Sequence, residues 1–178
     1  VDQSKEGSET ISLGIPYVEA MMDSNSTMIA ESILVSVVWM RVAYSLHSAI
    51  ETCKADKLDS MSIAYNLDVA AAYWVGDAIK TNGRSEQMGN LWYSLTDELA
   101  QHYTSAYNPN DSILHLVQET KTEILTEGCD TSSLMSAINR VIAEMKIPLV
   151  QGLIHALKTN DRESVQLYAS IVVPLISG

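Results

Sequence analysis

Between Ser133 and Lys158 apolar residues return at helical spacing: Leu134, Ile138, Val141, Met145, Leu149 and Leu153. They do so straight through Pro148 and Gly152, in the stretch IPLVQGLIHALK. A helix interior disfavours both residues, proline by roughly 3 kcal/mol and glycine by about 1 kcal/mol relative to alanine. A pattern that survives both belongs to a long helix whose stability comes from packing. Pro148 imposes a kink, because it has no N–H and its ring meets the preceding turn. Gly152, four residues on, marks a point of close packing.

The rest of the chain carries the same period. A first helix is expected over about 28–54, where Ile33, Val37, Met40 and Tyr44, and also Ala43, Leu46 and Ile50, recur at helical spacing. The polar stretch 55–65 reads as a loop. A second helix covers about 67–80, in which three alanines offer a flat face beside Tyr73 and Trp74, and Thr81-Asn82-Gly83 stops it. A third spans about 85–103 with Met88, Leu91, Trp92, Leu95 and Leu99 on one side. Asn108-Pro109-Asn110 breaks the chain. Asn110 or Asp111 then caps a fourth helix to about 126, with Ile113, Leu116, Val117 and Ile124 as its apolar set, and Gly128 ends it. Asp130, Thr131 or Ser132 caps the fifth, and a last helix runs over about 162–176. No segment alternates with period two. The expected fold is an all-α single-domain bundle of about six helices over residues 14–178, preceded by a polar arm, residues 1–13.

Composition bounds what such a bundle does. The chain has 178 residues, 47% of them hydrophobic, enough for one core. Phenylalanine is absent, so Trp39, Trp74, Trp92 and the eight tyrosines and eight methionines fill the larger gaps in it. A net charge of −11 argues against nucleic acid and anionic membrane surfaces as partners, since a phosphate backbone needs a basic face. The most apolar run, residues 33–46, is shorter than the roughly 20 residues a bilayer requires and contains Arg41, so no membrane span is expected.

Catalytic and metal signatures are sparse. There is no G-x-S-x-G, no glycine-rich phosphate loop, no H-E-x-x-H and no Glu-x-x-His of the di-iron kind. His47 with Glu51 and Glu98 with His102 stand at i, i+4, each pair on one helix face. The second pair reads as a surface feature. His115 and His155 sit among Leu and Ile and read as core-edge residues. Tyr73 and Trp74 read as core rather than as a cofactor wall. Asn25 and Asn110 each open an Asn-x-Ser/Thr sequon in a polar segment. Cys53 and Cys129 are too few for a structural zinc site and too far apart for a CxxC redox pair, and in a secreted chain they can form a disulfide.

Six stretches in order carry a resemblance: LDVAAAYWVGD, GNLWYSLTDELAQHY, NDSILHLVQE, the cysteine in EGCD, MKIPLVQGLIHAL and YASIVVPLI. With HSAIETC upstream, they resemble one repeat of the algal iron-assimilation proteins, also called high-CO2-inducible periplasmic proteins, over roughly residues 40–176. One departure is Asp77, where the family carries a small residue. The resemblance implies a non-catalytic secreted, periplasmic or cell-surface protein with a role in iron acquisition, one that can sit beside tandem neighbouring domains. It also implies a Cys53–Cys129 disulfide joining two helix ends. If iron is bound, the expected ligands are His47 and Glu51 from the first helix with Asp68 or Asp77 from the second, oxygen and nitrogen donors that suit that metal. The alternative expectation is a structural repeat unit of an extracellular coat or filament, which self-associates.

Overall fold

A computed structural model of the chain describes residues 30–56, 58–76, 89–102 and 107–177. The described residues form an all-α bundle: α1 (Ala30–Ala55), α2 (Ser60–Val75), α3 (Trp92–Gln101), α4 (Asn110–Glu127), α5 (Thr131–Thr159) and α6 (Arg162–Ser177). The polar arm 1–13 and the sequon at Asn25 lie outside the described residues, as do the expected stop at Thr81–Gly83 and the start of the third helix near Ser85.

The later helices follow the sequence pattern closely. In α4, Ile113, Leu116, Val117 and Ile124 are buried. In α5, Leu134, Ile138, Val141, Met145 and Leu149 are buried, and Asp130 caps the helix by accepting from the Ser133 N–H at 2.9 Å. Asp59 and Asp161 act alike at the starts of α2 and α6, accepting from the Ser62 N–H at 3.0 Å and the Glu163 N–H at 3.2 Å. Hydrogen bonds from Ser62 and Ser164 hold these two carboxyls below the usual aspartate range.

Three expectations are corrected. The loop expected over 55–65 is shorter, because Asp59 caps a helix that starts at Ser60 and buries Ile63 and Ala64. The third helix does not run through residues 89–91: Gly89 has φ +91° and helical structure starts at Trp92. On α1 the two apolar sets part company. Ala43, Leu46 and Ile50 face the core with Val35, Trp39, Val42 and Cys53, whereas Ile33, Val37, Met40 and Tyr44 are exposed. The helix is apolar on nearly every side, so spacing alone does not choose its inner face.

Three buried indoles lace the bundle together. Trp39 Nε1 donates to the Met145 carbonyl of α5 at 3.2 Å, Trp74 Nε1 to Asn110 Oδ1 of α4 at 2.8 Å, and Trp92 Nε1 to the Leu34 carbonyl of α1 at 2.7 Å. Each satisfies a donor that burial would otherwise strand, at a cost of about 1–3 kcal/mol. Residues Ile33–Val38 form a π-turn within α1, and the Leu34 carbonyl accepts there from the Trp39 backbone N–H as well as from Trp92. Trp74 and Trp92 stack with centroids 5.5 Å apart and planes 10° apart. The helix α5 continues through the buried Pro148, and Met145, whose carbonyl takes the Trp39 bond, is next to Glu144, the residue whose carbonyl loses its helical donor to the proline.

Gly152 brings α5 into close contact with Tyr168 of α6. A Cβ placed there would overlap Cε1 and Cζ of Tyr168 and lie 2.9 Å from its Cδ1. The close-packing role read from the sequence is therefore filled, and its partner is the Tyr168 ring. That ring is buried, and its hydroxyl donates to Glu31 Oε1 at 2.6 Å. Burial first, then the Glu31 and Glu98 carboxylates, push the Tyr168 pKa far above the ordinary tyrosine range.

Candidate functional site

The outer face of α1 is a feature that the core does not use. It runs from Ile33 through Val37, Met40 and Tyr44 to His47 and Glu51, all exposed, and changes from apolar to polar along its length. The Arg41 guanidinium lies 5.5 Å from the Tyr44 ring centroid and 5.3 Å from that of Tyr73 on α2, within cation–π range of both. Tyr73 is thus partly exposed beside this face, while Trp74 is wholly buried. The expectation that both are core holds for the tryptophan alone.

The residues named as metal ligands are not brought together. His47 is exposed on α1. Glu51 accepts from Lys54 Nζ at 2.8 Å, and both Asp68 oxygens accept from Lys121 Nζ at 2.7 Å. Each carboxylate would have to give up an ammonium partner to take a metal. Asp77 lies outside the described residues. Among the described residues no group of three or more His, Cys, Asp or Glu side chains is arranged to hold a metal ion.

Of the other histidines, His115 departs from its core-edge reading, whereas His155 is half-buried and His102 exposed, as read. His115 is a surface residue, its side chain 77% exposed and 3.8 Å from Glu119. His155 meets His102 across the α3–α5 boundary, with ring centroids 3.9 Å apart and planes 17° apart. These residues are distant in the chain, and no local spacing announces the contact. Face-to-face stacking leaves the ring nitrogens' lone pairs in parallel planes, so the pair does not converge on one ion as it stands.

Asn110 is 1% exposed and works inside the protein. Its Nδ2 donates to the Tyr93 carbonyl at 2.9 Å and to Asp97 Oδ1 at 3.0 Å, while its Oδ1 accepts from Trp74. Its backbone N–H donates to Asn108 Oδ1 at 3.0 Å. The nitrogen that a glycan would occupy is committed to the fold, so the sequon reading of Asn110 is corrected: the residue joins α2, α3 and α4. Replacing it with alanine strands the buried Trp74 N–H. Asn110→Ala is expected to lower stability by about 2 kcal/mol, seen as a fall in the urea midpoint with an unchanged m value.

The cysteines do meet. Cys53 at the end of α1 and Cys129 between α4 and α5 form a disulfide with Cα atoms 6.0 Å apart. The expected absence of a membrane span needs a finer statement: α1 as a whole is long and apolar enough to cross a membrane by length and composition, with mean hydropathy 1.5 in its best window. Its inner face nevertheless belongs to the bundle core, from Val35 to Cys53. The surface depressions are open. One of about 440 Å³ between α4 and α5 is lined by Glu119, Glu123, Ser132, Ser136 and Arg140 among others. Another lies where the chain leaves α2 at Gly76 and returns at Asn90, whose N–H donates to the Val75 carbonyl at 2.8 Å.

No family model, curated protein or solved structure matches the chain.

Proposed function

We propose that this chain is a non-catalytic helical domain of the iron-assimilation type that works outside the cytosol, at a cell surface or in a periplasmic space. The observation that carries the reading is the Cys53–Cys129 disulfide, since such bonds persist in oxidising compartments and are rare in the cytosol. The six ordered motifs that resemble the iron-assimilation repeat supply the rest. With Glu51 and Asp68 each held by a lysine, we place the function in association with other macromolecules rather than in chelation by His47, Glu51 and Asp68.

Two measurements test the reading. Intact mass of natively isolated protein is expected to show no free thiol, and two free thiols would remove the extracellular assignment. Elemental analysis, followed by calorimetry with ferric and ferrous iron, is expected to give the same result for the native protein and for His47→Ala and Glu51→Ala. Stoichiometric iron lost in either variant would move the function to chelation at these residues. A second reading, a structural repeat unit of a coat or filament, is favoured by the apolar outer face of α1. Light scattering that shows self-association of the isolated native protein would support it.

A further inference from the structure

The ten-residue α3 is the shortest of the described helices. A helix of that length does not persist alone in water, so its contacts hold it. Its first half is tied by polar bonds. Trp92 Nε1 donates to the Leu34 carbonyl at 2.7 Å, and Asn110 Nδ2 donates to the Tyr93 carbonyl at 2.9 Å and to Asp97 Oδ1 at 3.0 Å. Trp92 also stacks on Trp74. In the middle, Thr96 is wholly buried and its hydroxyl has no hydrogen-bond partner among the described residues, which weakens the seat of the helix there. The last turn brings the buried Leu99 and then His102, whose ring lies face to face with His155 of α5.

Both members of this contact gain charge as the medium turns acid. Neutral rings stack well at a centroid distance of 3.9 Å, and a single imidazolium finds anions nearby. Glu98 stands one turn before His102 on the same face of α3. Asp161, at the start of α6, lies close enough to His155 for the two charges to interact. Hydrogen bonds from Ser164 hold Asp161 below the usual aspartate range, so it stays ionised while histidines protonate. Next to it Arg162 and Glu163 are exposed and opposite in charge, and Lys158 adds a cation one turn after His155 on α5. Glu31 of α1 and Tyr168 of α6, which packs on Gly152 one turn before His155, are bound to each other at 2.6 Å. A second proton on the pair therefore sets two like charges at stacking distance, with only ring faces between them. Such charges repel even in water, and more strongly at a protein surface. When the rings part the repulsion goes. The opened form thus takes up the second proton more readily than the closed one. The closed form is fully held above the histidine range and loses ground as pH falls through it.

We propose that the His102–His155 stack is a proton-operated latch. When both rings are charged the last turn of α3 leaves α5 and exposes Leu99, while the bonds at Trp92 and Tyr93 keep the first turn in place.

Amide hydrogen exchange, followed by mass spectrometry, reads the latch. Peptides covering the last turn of α3 are compared with peptides from α4 at about pH 7.5 and about pH 5, each rate divided by the intrinsic rate at that pH. In the native protein, opening of the α3 turn is expected to rise about ten-fold at the lower pH, with α4 unchanged. His102→Gln and His155→Gln each leave one ring, so in both the rise is expected to vanish, whatever the starting level of opening. His102 is exposed, so its variant keeps the buried contacts and decides the matter even where His155→Gln folds poorly. Glu98 and Asp161 remain in both variants, so a rise that persists in His102→Gln would overturn the proposal. So would equal protection of the native α3 turn at the two pH values, or a rise shared by α4, which marks loosening of the whole bundle.

Discussion

Gly152→Ala is expected to destabilise the protein by about 3 kcal/mol, at the upper end of what overpacking costs. Helix propensity predicts the opposite sign, since alanine is favoured over glycine by about 1 kcal/mol in a helix interior. The difference lies in Tyr168. Its ring sits where the new methyl would go, and it is buried with its hydroxyl bound to Glu31. To make room the ring must move, which opens the α5–α6 contact and breaks the link to α1. Urea denaturation of the double-mutant cycle gives a decisive sign. In a Tyr168→Ala background the clash is gone, and Gly152→Ala becomes neutral or stabilising. A similar loss from Gly152→Ala in both backgrounds would show that the tyrosine is not the cause.

The second large effect is expected at the disulfide. Cys53 and Cys129 are 76 residues apart, and the bond ties the end of α1 to the α4–α5 junction around α2, α3 and α4. On the chain-entropy account, closing a loop of this length restricts the unfolded ensemble by roughly 4 kcal/mol. Cys53→Ser with Cys129→Ser is expected to lose about that much, and to show a larger m value because the unfolded chain exposes more surface. Cys53 is wholly buried and Thr131 Oγ1 lies 3.5 Å from its sulfur, so serine keeps a polar neighbour. Thermal melts of the native protein with and without reductant should reproduce the difference. Coincident melts would mean that the helix packing alone sets the stability.

How far the molecule could be read in its sequence varied by element, for physical reasons. Helices α4 and α5 have one apolar face and clear ends at Gly128, Asp130 and Asn160, so their spans follow within about two residues of the pattern. The first helix is apolar around most of its circumference, and its π-turn at Ile33–Val38 shifts the phase of the side chains that follow. Its end near Ala55 was legible and its inner face was not. The start of α2 was hidden because Met61, Ser62 and Tyr65 point outward around a short buried pair, Ile63 and Ala64. Non-local contacts left no trace in spacing. The His102–His155 stack, the Tyr168 ring over Gly152 and the burial of Asn110 each depend on helices brought together from separate parts of the chain. Asn110 shows the point best: a sequon in a polar stretch has the look of a surface residue, and only the neighbouring Trp74 and Tyr93 turn it into an internal strut.

The three indole hydrogen bonds also make the protein its own spectroscopic probe. Trp39 reports on the join between α1 and α5, Trp74 on that between α2 and α4, and Trp92 on that between α3 and α1. There is no fourth tryptophan to blur the signal. Substituting phenylalanine for two indoles at a time leaves one emitter on one interface. Three such proteins would resolve the order in which the helices part company, a record of the unfolding path that a single global transition conceals.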